Sequence, residues 1–138
     1  MRYPRISTAL LFGRCIAAVR EDLGLTQAQL AERLELSRPA LAQMESGRSA
    51  PSFWVMMRIG EHLGEGFAGR DSTAIMALLR ASARELRDQG VRIVNRIVDP
   101  DELTVPVAQI DRAVARVYDR EFARFVPVEV IYLDDGEE

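Results

Sequence analysis

Residues 24–47 constrain this chain more than any other stretch of it. Thr26 is a favoured N-cap residue and Gln29 follows three positions later, the spacing of a capping box. Leu30, Ala31 and Leu34 then share one helical face. Ser37 is a second N-cap, and Pro39 falls in a first helical turn, where its missing N–H costs nothing. Leu41 and Met44 continue the apolar face, and Ser46-Gly47 supplies a stop. Two helices this short are not stable alone. Neighbouring helices must bury their apolar faces, and the turn between them is too tight for anything but one rigid unit.

This pattern resembles the phage-repressor (Xre/Cro-like) helix-turn-helix family, over about residues 7–64. In that family the second helix opens with a polar residue and Gln, followed by Leu-Ala, here Thr26, Gln27, Leu30 and Ala31. The third helix closes on Glu-x-Gly, here Glu45-Ser46-Gly47, and Pro51-Ser52 matches the start of the fourth. The turn between helices two and three usually carries Gly, whereas this chain has Glu35. A left-handed non-Gly residue there costs roughly 1 kcal/mol, a tolerable strain within the same fold.

The resemblance implies a lambda-repressor-like bundle that binds double-stranded DNA. It also implies an ion pair between Arg20 and Glu45 as a structural brace, and a phosphate contact from Gln27. In such a motif the first turn of the third helix reaches base edges. Arg38 is the leading candidate, because a guanidinium can donate two parallel hydrogen bonds to guanine O6 and N7. Gln43 projects to the same side, and Pro39 and Ala42 offer apolar contact to a thymine methyl. Ser37, Arg48 and Ser49 are candidates for phosphate, since exposed helix starts and loop N–H groups suit anions. Arg2 and Arg5 lie in an arm before the first helix, within reach of the DNA backbone or minor groove.

Around this unit, Ser7 or Thr8 starts a first helix whose stripe is Leu11, Phe12, Cys15, Ile16, Val19 and Leu23, ended by Gly24. Ser52 caps a fourth helix with Phe53, Met56, Ile59, Gly60 and Leu63 expected inward and Met57 expected as core filler. Trp54 stands where relatives are commonly polar. It is expected either beneath the second half of the chain or in a dimer interface.

The Gly-x-Gly-x-x-Gly run at 64–69 lacks the preceding strand that a dinucleotide fingerprint requires. It reads as a linker, over 65–70, between a DNA-binding domain at 1–64 and a second domain at 71–138. There, Asp71 or Ser72 caps a helix to about Gln89, with Ile75, Met76, Leu79 and Leu86 inward. Residues 91–98 favour a strand by their β-branched content. Pro106 opens a helix to about Arg124, with Val107, Ile110, Val114, Val117 and Phe122 inward, and Phe125–Leu133 is a second β-rich run broken by Pro127. Asp134–Glu138 reads as a solvated end. The expected class is mainly α: the helix-turn-helix bundle, then a small α-β-α-β domain for oligomerisation or for a partner or effector. A sheet so small is expected to be completed by a second subunit.

Charge divides along the same boundary. All 18 basic residues are Arg; residues 1–64 hold eight against six acids, and residues 65–138 hold ten against fifteen, giving −3 overall. Attraction to DNA depends on the local face, so the acidic total does not exclude it.

The function these residues imply is a sequence-specific transcriptional regulator, a repressor acting as a homodimer on a pseudo-palindromic operator. An antitoxin that autoregulates its operon and masks a protein toxin with its acidic half is the alternative; a small-molecule effector is a third use of that half. One Cys and one His, His62, make neither a metal cluster nor a catalytic triad, so no enzyme, cofactor or metal is expected. Asp99 and Asp101 flank Pro100 and read as a solvated turn. No apolar run nears the roughly 18 residues of a membrane span, nothing resembles a signal peptide, and the lone Cys15 fits a reducing cytoplasm as a buried, inert thiol.

Overall fold

In the computed structural model, residues 3–66, 73–99, 101–102 and 104–121 are described, with side chains undescribed at 63–66 and 73–74. Eight elements follow in order: β1 (Arg5–Ser7), α1 (Thr8–Asp22), α2 (Gln27–Leu34), α3 (Arg38–Glu45), α4 (Phe53–Gly66), α5 (Thr73–Asp88), β2 (Arg92–Val94) and α6 (Val107–Glu121).

The helix starts are those the polar residues specify. Ser7 Oγ accepts from Leu10 N at 3.0 Å, and Ser37 Oγ accepts from Ala40 N at 3.2 Å. Ser52 Oγ takes Val55 N at 3.2 Å. The capping box is complete, with Thr26 Oγ1 accepting from Gln29 N at 3.1 Å and Thr26 N donating to Gln29 Oε1 at 2.8 Å. Each satisfies backbone donors that a helix start leaves without an intrahelical partner.

Helix α1 is the centre of the molecule. Leu11, Phe12, Gly13, Cys15, Ile16, Ala17 and Val19 are all buried, which covers more than a single stripe of the helix. A helix apolar on several sides needs neighbours on several sides, and α1 packs against α3, α5, α6 and β1. One hydrophobic cluster therefore runs from Leu30, Leu34 and Leu41 through α1 to Leu78, Leu86, Ile110, Val114 and Val117. Tyr118 closes one end by donating to Asp22 Oδ2 at 2.6 Å. The core is continuous across the division at residue 64.

The sheet differs from expectation. Only Arg92–Val94 of the predicted 91–98 run is strand, and its partner is the chain's own amino-terminal arm, in parallel, with Arg5 opposite Arg92 and Ser7 opposite Val94. Gly90, at φ 87°, turns the chain out of α5, and Val91 is buried beside it. Beyond Val94 the backbone bends, and Arg96 binds Glu102 through two hydrogen bonds of 2.8 and 2.6 Å. Thr8 Oγ1 donates to Val94 O at 3.1 Å and ties the sheet to α1. The arm that carries Arg5 is thus part of the fold.

Five inward assignments are corrected. Phe53 is 80% exposed, and Met56 and Met57 are 37% and 44% exposed. The face of α4 that packs inward runs through Val55, Ile59 and Gly60. Its rotation is fixed by Arg58, which donates to Leu34 O at 3.3 Å and Arg33 O at 3.1 Å at the end of α2. On α5, Met76 is exposed while Leu78, Ser82 and Ala83 join Ile75 and Leu86 inside. Val107, in the first turn of α6, is also exposed. Helix α4 continues to Gly66, into the stretch read as a linker. The expected strand at 125–133 and Phe122 lie outside the described residues.

Candidate nucleic-acid interface

Helix α3 turns Leu41, Met44 and Glu45 inward and leaves Arg38, Pro39 and Gln43 exposed, with Ala42 half-buried between them. Positions four apart are neighbours on a helix surface, so Arg38 with Ala42 and Pro39 with Gln43 make one outward face. Among the described residues, neither the Arg38 guanidinium nor the Gln43 amide has a hydrogen-bond or ion-pair partner. Both donor sets are free for an external acceptor.

Behind this face the end of α3 is held from several directions. Arg20 Nε and Nη2 bind Glu45 Oε2 and Oε1 at 2.8 and 3.1 Å, and Arg20 Nη1 donates to Leu25 O at 2.9 Å. The Glu45 side chain is only 4% exposed. The hydrogen bond to Glu45 raises the Arg20 pKa above its ordinary value, although burial opposes it. Parallel, charge-assisted bonds of this kind fix geometry as well as charge. From α1, Arg14 Nη1 donates to Glu45 O at 3.2 Å. Gly13 makes the approach possible: a Cβ there would collide with Met44 O and come within 2.9 Å of Glu45 O.

Gln27 belongs to the same cluster. Its Nε2 donates to Glu45 Oε1 at 3.0 Å, so one amide hydrogen is committed inward. A primary amide carries two donors, which leaves the second for a phosphate. Ser37 is exposed and its oxygen serves the cap, leaving the hydroxyl hydrogen. Arg48 is exposed and Ser49 half-buried in the loop after α3, where Gly47 adopts φ 78° against Leu10.

Glu35 ends α2 at φ 58° and ψ 38°, the left-handed conformation expected of this turn. Arg58 stands 3.6 Å from its carboxylate as well as on the preceding carbonyls. Trp54 is 61% exposed, so the described second half does not cover it, and the Arg58 guanidinium lies 6.0 Å from its ring centroid.

Sequence reasoning missed Arg14, Asp111 and Arg58. Arg58 is four residues beyond Trp54 on one helix, a spacing open to inspection. Nothing in the sequence links Arg14 to Asp111.

A family model described as a helix-turn-helix domain matches residues 11–73. Over these residues the chain is similar to a helix-turn-helix domain. A 45-residue stretch is 44% identical to an uncharacterized HTH-type transcriptional regulator from Methanothermobacter thermautotrophicus; the match spans 33% of this chain and 65% of the relative, just under two thirds of its length. Among solved structures, the clp gene regulator ClgR from Corynebacterium glutamicum superposes with a TM-score of 0.52 at 22% identity, over 59% of this chain and 82% of that one. That likeness is one of fold alone. Among the described residues no group of His, Cys, Asp and Glu is placed to hold a metal, and no helix is long and apolar enough to cross a membrane.

Proposed function

We propose that this protein is a sequence-specific DNA-binding transcriptional regulator that reads the major groove with α3. The observation that carries the reading is the outward face of Arg38, Pro39, Ala42 and Gln43, unpaired among the described residues and mounted on the buried Arg20–Glu45 brace. Arg38 reads guanine, Gln43 reads adenine or a neighbouring phosphate, and Pro39 and Ala42 meet a thymine methyl. Gln27, Ser37, Arg48 and Ser49 hold phosphates and set the register.

One helix-turn-helix buries too little surface for tight selective binding, so the active species is a homodimer on a pseudo-palindrome, with half-sites about one helical turn apart. Occupying a promoter in this way represses it. Residues 1–64 form the reading unit. Helix α6 braces it through Asp111, and residues 71–138 supply the partner or effector function. The relative named as an HTH-type transcriptional regulator supports this reading.

Selection from a random duplex library with the full-length protein at physiological salt tests it. Enrichment of an inverted repeat is the expected result; recovery of no preferred sequence contradicts it.

A further inference from the structure

Strand β2 has one edge taken and one free. Arg92 N donates to Pro4 O at 2.8 Å, and Val94 O accepts from Thr8 Oγ1 at 3.1 Å, so these groups face β1 and the start of α1. A trans peptide sets its N–H and C=O in opposite directions. Val91 O and the N–H and C=O of Ile93 therefore face away from β1. Among the described residues none of these three has a hydrogen-bond partner. An open groove of about 520 Å³ runs beside the strand, lined by Tyr3, Arg87, Gly90 and residues 91–94. An unpaired strand edge is a template for a further extended segment.

The two faces of the sheet state what such a segment must carry. Ile6 and Ile93 are register partners on the core face, Ile6 fully buried and Ile93 half-buried. Arg5 and Arg92 are register partners on the opposite face. Like charges side by side on a sheet repel. Arg87, in the last turn of α5, adds a third cation. Among the described residues neither Arg87 nor Arg92 has an acidic partner. The Arg92 guanidinium lies 5.5 Å from the Tyr3 ring centroid. Stacking uses the face of a guanidinium and leaves its in-plane N–H donors for a carboxylate.

We infer that the outer edge of β2 binds an extended peptide of a partner protein in which apolar and acidic residues alternate. Its main chain pairs with Val91 and Ile93. Its apolar side chains continue the Ile6–Ile93 face, and its carboxylates lie against Arg87 and Arg92. A second copy of the same edge would add arginines to this face instead of neutralising them. The inference goes beyond the reading of α3 and stands whether or not α3 binds DNA.

The test uses the full-length protein without DNA and two blocked peptides, acetyl-Thr-Val-Glu-Val-Glu-Val-Thr-amide and its counterpart with Lys in place of Glu. Calorimetry measures binding, and amide hydrogen exchange reads the strand edge. The acidic peptide is expected to bind more tightly than the basic one by about tenfold or more, and to slow exchange at Ile93 N–H. Arg92→Glu should reverse the preference, and Arg87→Gln should weaken the acidic peptide alone. Both side chains are exposed, so the fold has little to lose. Equal binding of the two peptides, or binding of neither, overturns the inference. So does binding that leaves Ile93 exchange unchanged. An Ile93 amide already protected in the free protein also overturns it, because the edge is then occupied from within the chain or by a second copy.

Discussion

Arg14 Nε lies 2.7 Å from Asp111 Oδ1, while Nη1 of the same guanidinium donates to the main-chain carbonyl of Glu45. One side chain on α1 thus joins α6, in the second half of the chain, to the last turn of the helix proposed to read DNA. The Arg14 and Asp111 side chains are 21% and 42% exposed, so solvent screens much of their attraction. Asp111→Asn is expected to cost less than about 1 kcal/mol. Arg14→Ala also strips a donor from Glu45 O and is expected to cost about 1–3 kcal/mol. Urea denaturation of both single variants and the double variant measures the coupling; a coupling of zero would show that the bridge holds nothing.

Gly13 is the most tightly enclosed of the described glycines. Its missing side chain lets α1 lie against the carbonyls of Met44 and Glu45, which belong to backbone and cannot rotate away. Gly13→Ala is therefore expected to destabilise by about 3 kcal/mol or more, the upper end for overpacking, against its small gain in helix propensity. A thermal midpoint at or above wild type would mean that α1 and α3 separate more easily than their contact suggests.

Glu35 predicts the opposite sign. Its left-handed conformation costs roughly 1 kcal/mol for a residue with a Cβ, and its link to Arg58 is long and its side chain 70% exposed. Glu35→Gly removes the strain and should raise stability by a few tenths to about 1 kcal/mol, allowing for the extra freedom of glycine in the unfolded chain. Arg58 keeps its bonds to the carbonyls of residues 33 and 34. A loss of more than about 1 kcal/mol on the same substitution would show that the Glu35–Arg58 pair outweighs the strain.

How much of this was legible follows from what kind of signal each feature leaves. Helix starts at Ser7, Thr26, Ser37 and Ser52 are local hydrogen bonds, written within three residues, and each appears where the sequence places it. The Arg20–Glu45 pair came with the family resemblance. The pairing of β1 with β2 joins three-residue strands from the two halves of the chain and has no periodicity to betray it. Arg14 and Asp111 are 97 positions apart. The rotation of α4 misled because Phe53, Met56 and Met57 have the spacing of a core face; Val55 and Ile59 turn inward instead, with Arg58 bonded to the α2 carbonyls and α4 packed on α2 and α5. Apolar pattern gives a helix its stripe, but an apolar stripe left exposed looks the same.

Cys15 offers a probe of the shared core. Burial pushes its thiol from an ordinary 9.0 up to about 12, with Ser82 and the Arg14 charge only partly offsetting it. At pH 8 the folded thiol stays protonated and enclosed, so reaction with a disulfide reagent is expected only through opening of the core. Between about 9 and 12 the unfolded thiol has lost its proton while the folded one retains it. By linkage this group's contribution to stability falls as pH rises through that window. Labelling of native protein at the rate of a free thiol would contradict the packing of α1 between the two halves.

The central claim is that Arg38 reads a base while Gln27 holds the backbone. The most direct test is equilibrium binding of wild type, Arg38→Ala and Gln27→Ala to the selected duplex and to copies altered one base pair at a time. Arg38→Ala is expected to lose about 1–3 kcal/mol on the intact site and to become indifferent at a single position per half-site. Gln27→Ala should weaken every duplex alike, with its preferences intact. An Arg38→Ala protein that keeps wild-type affinity and wild-type preference at every base pair would contradict the assignment of α3 as the reading helix.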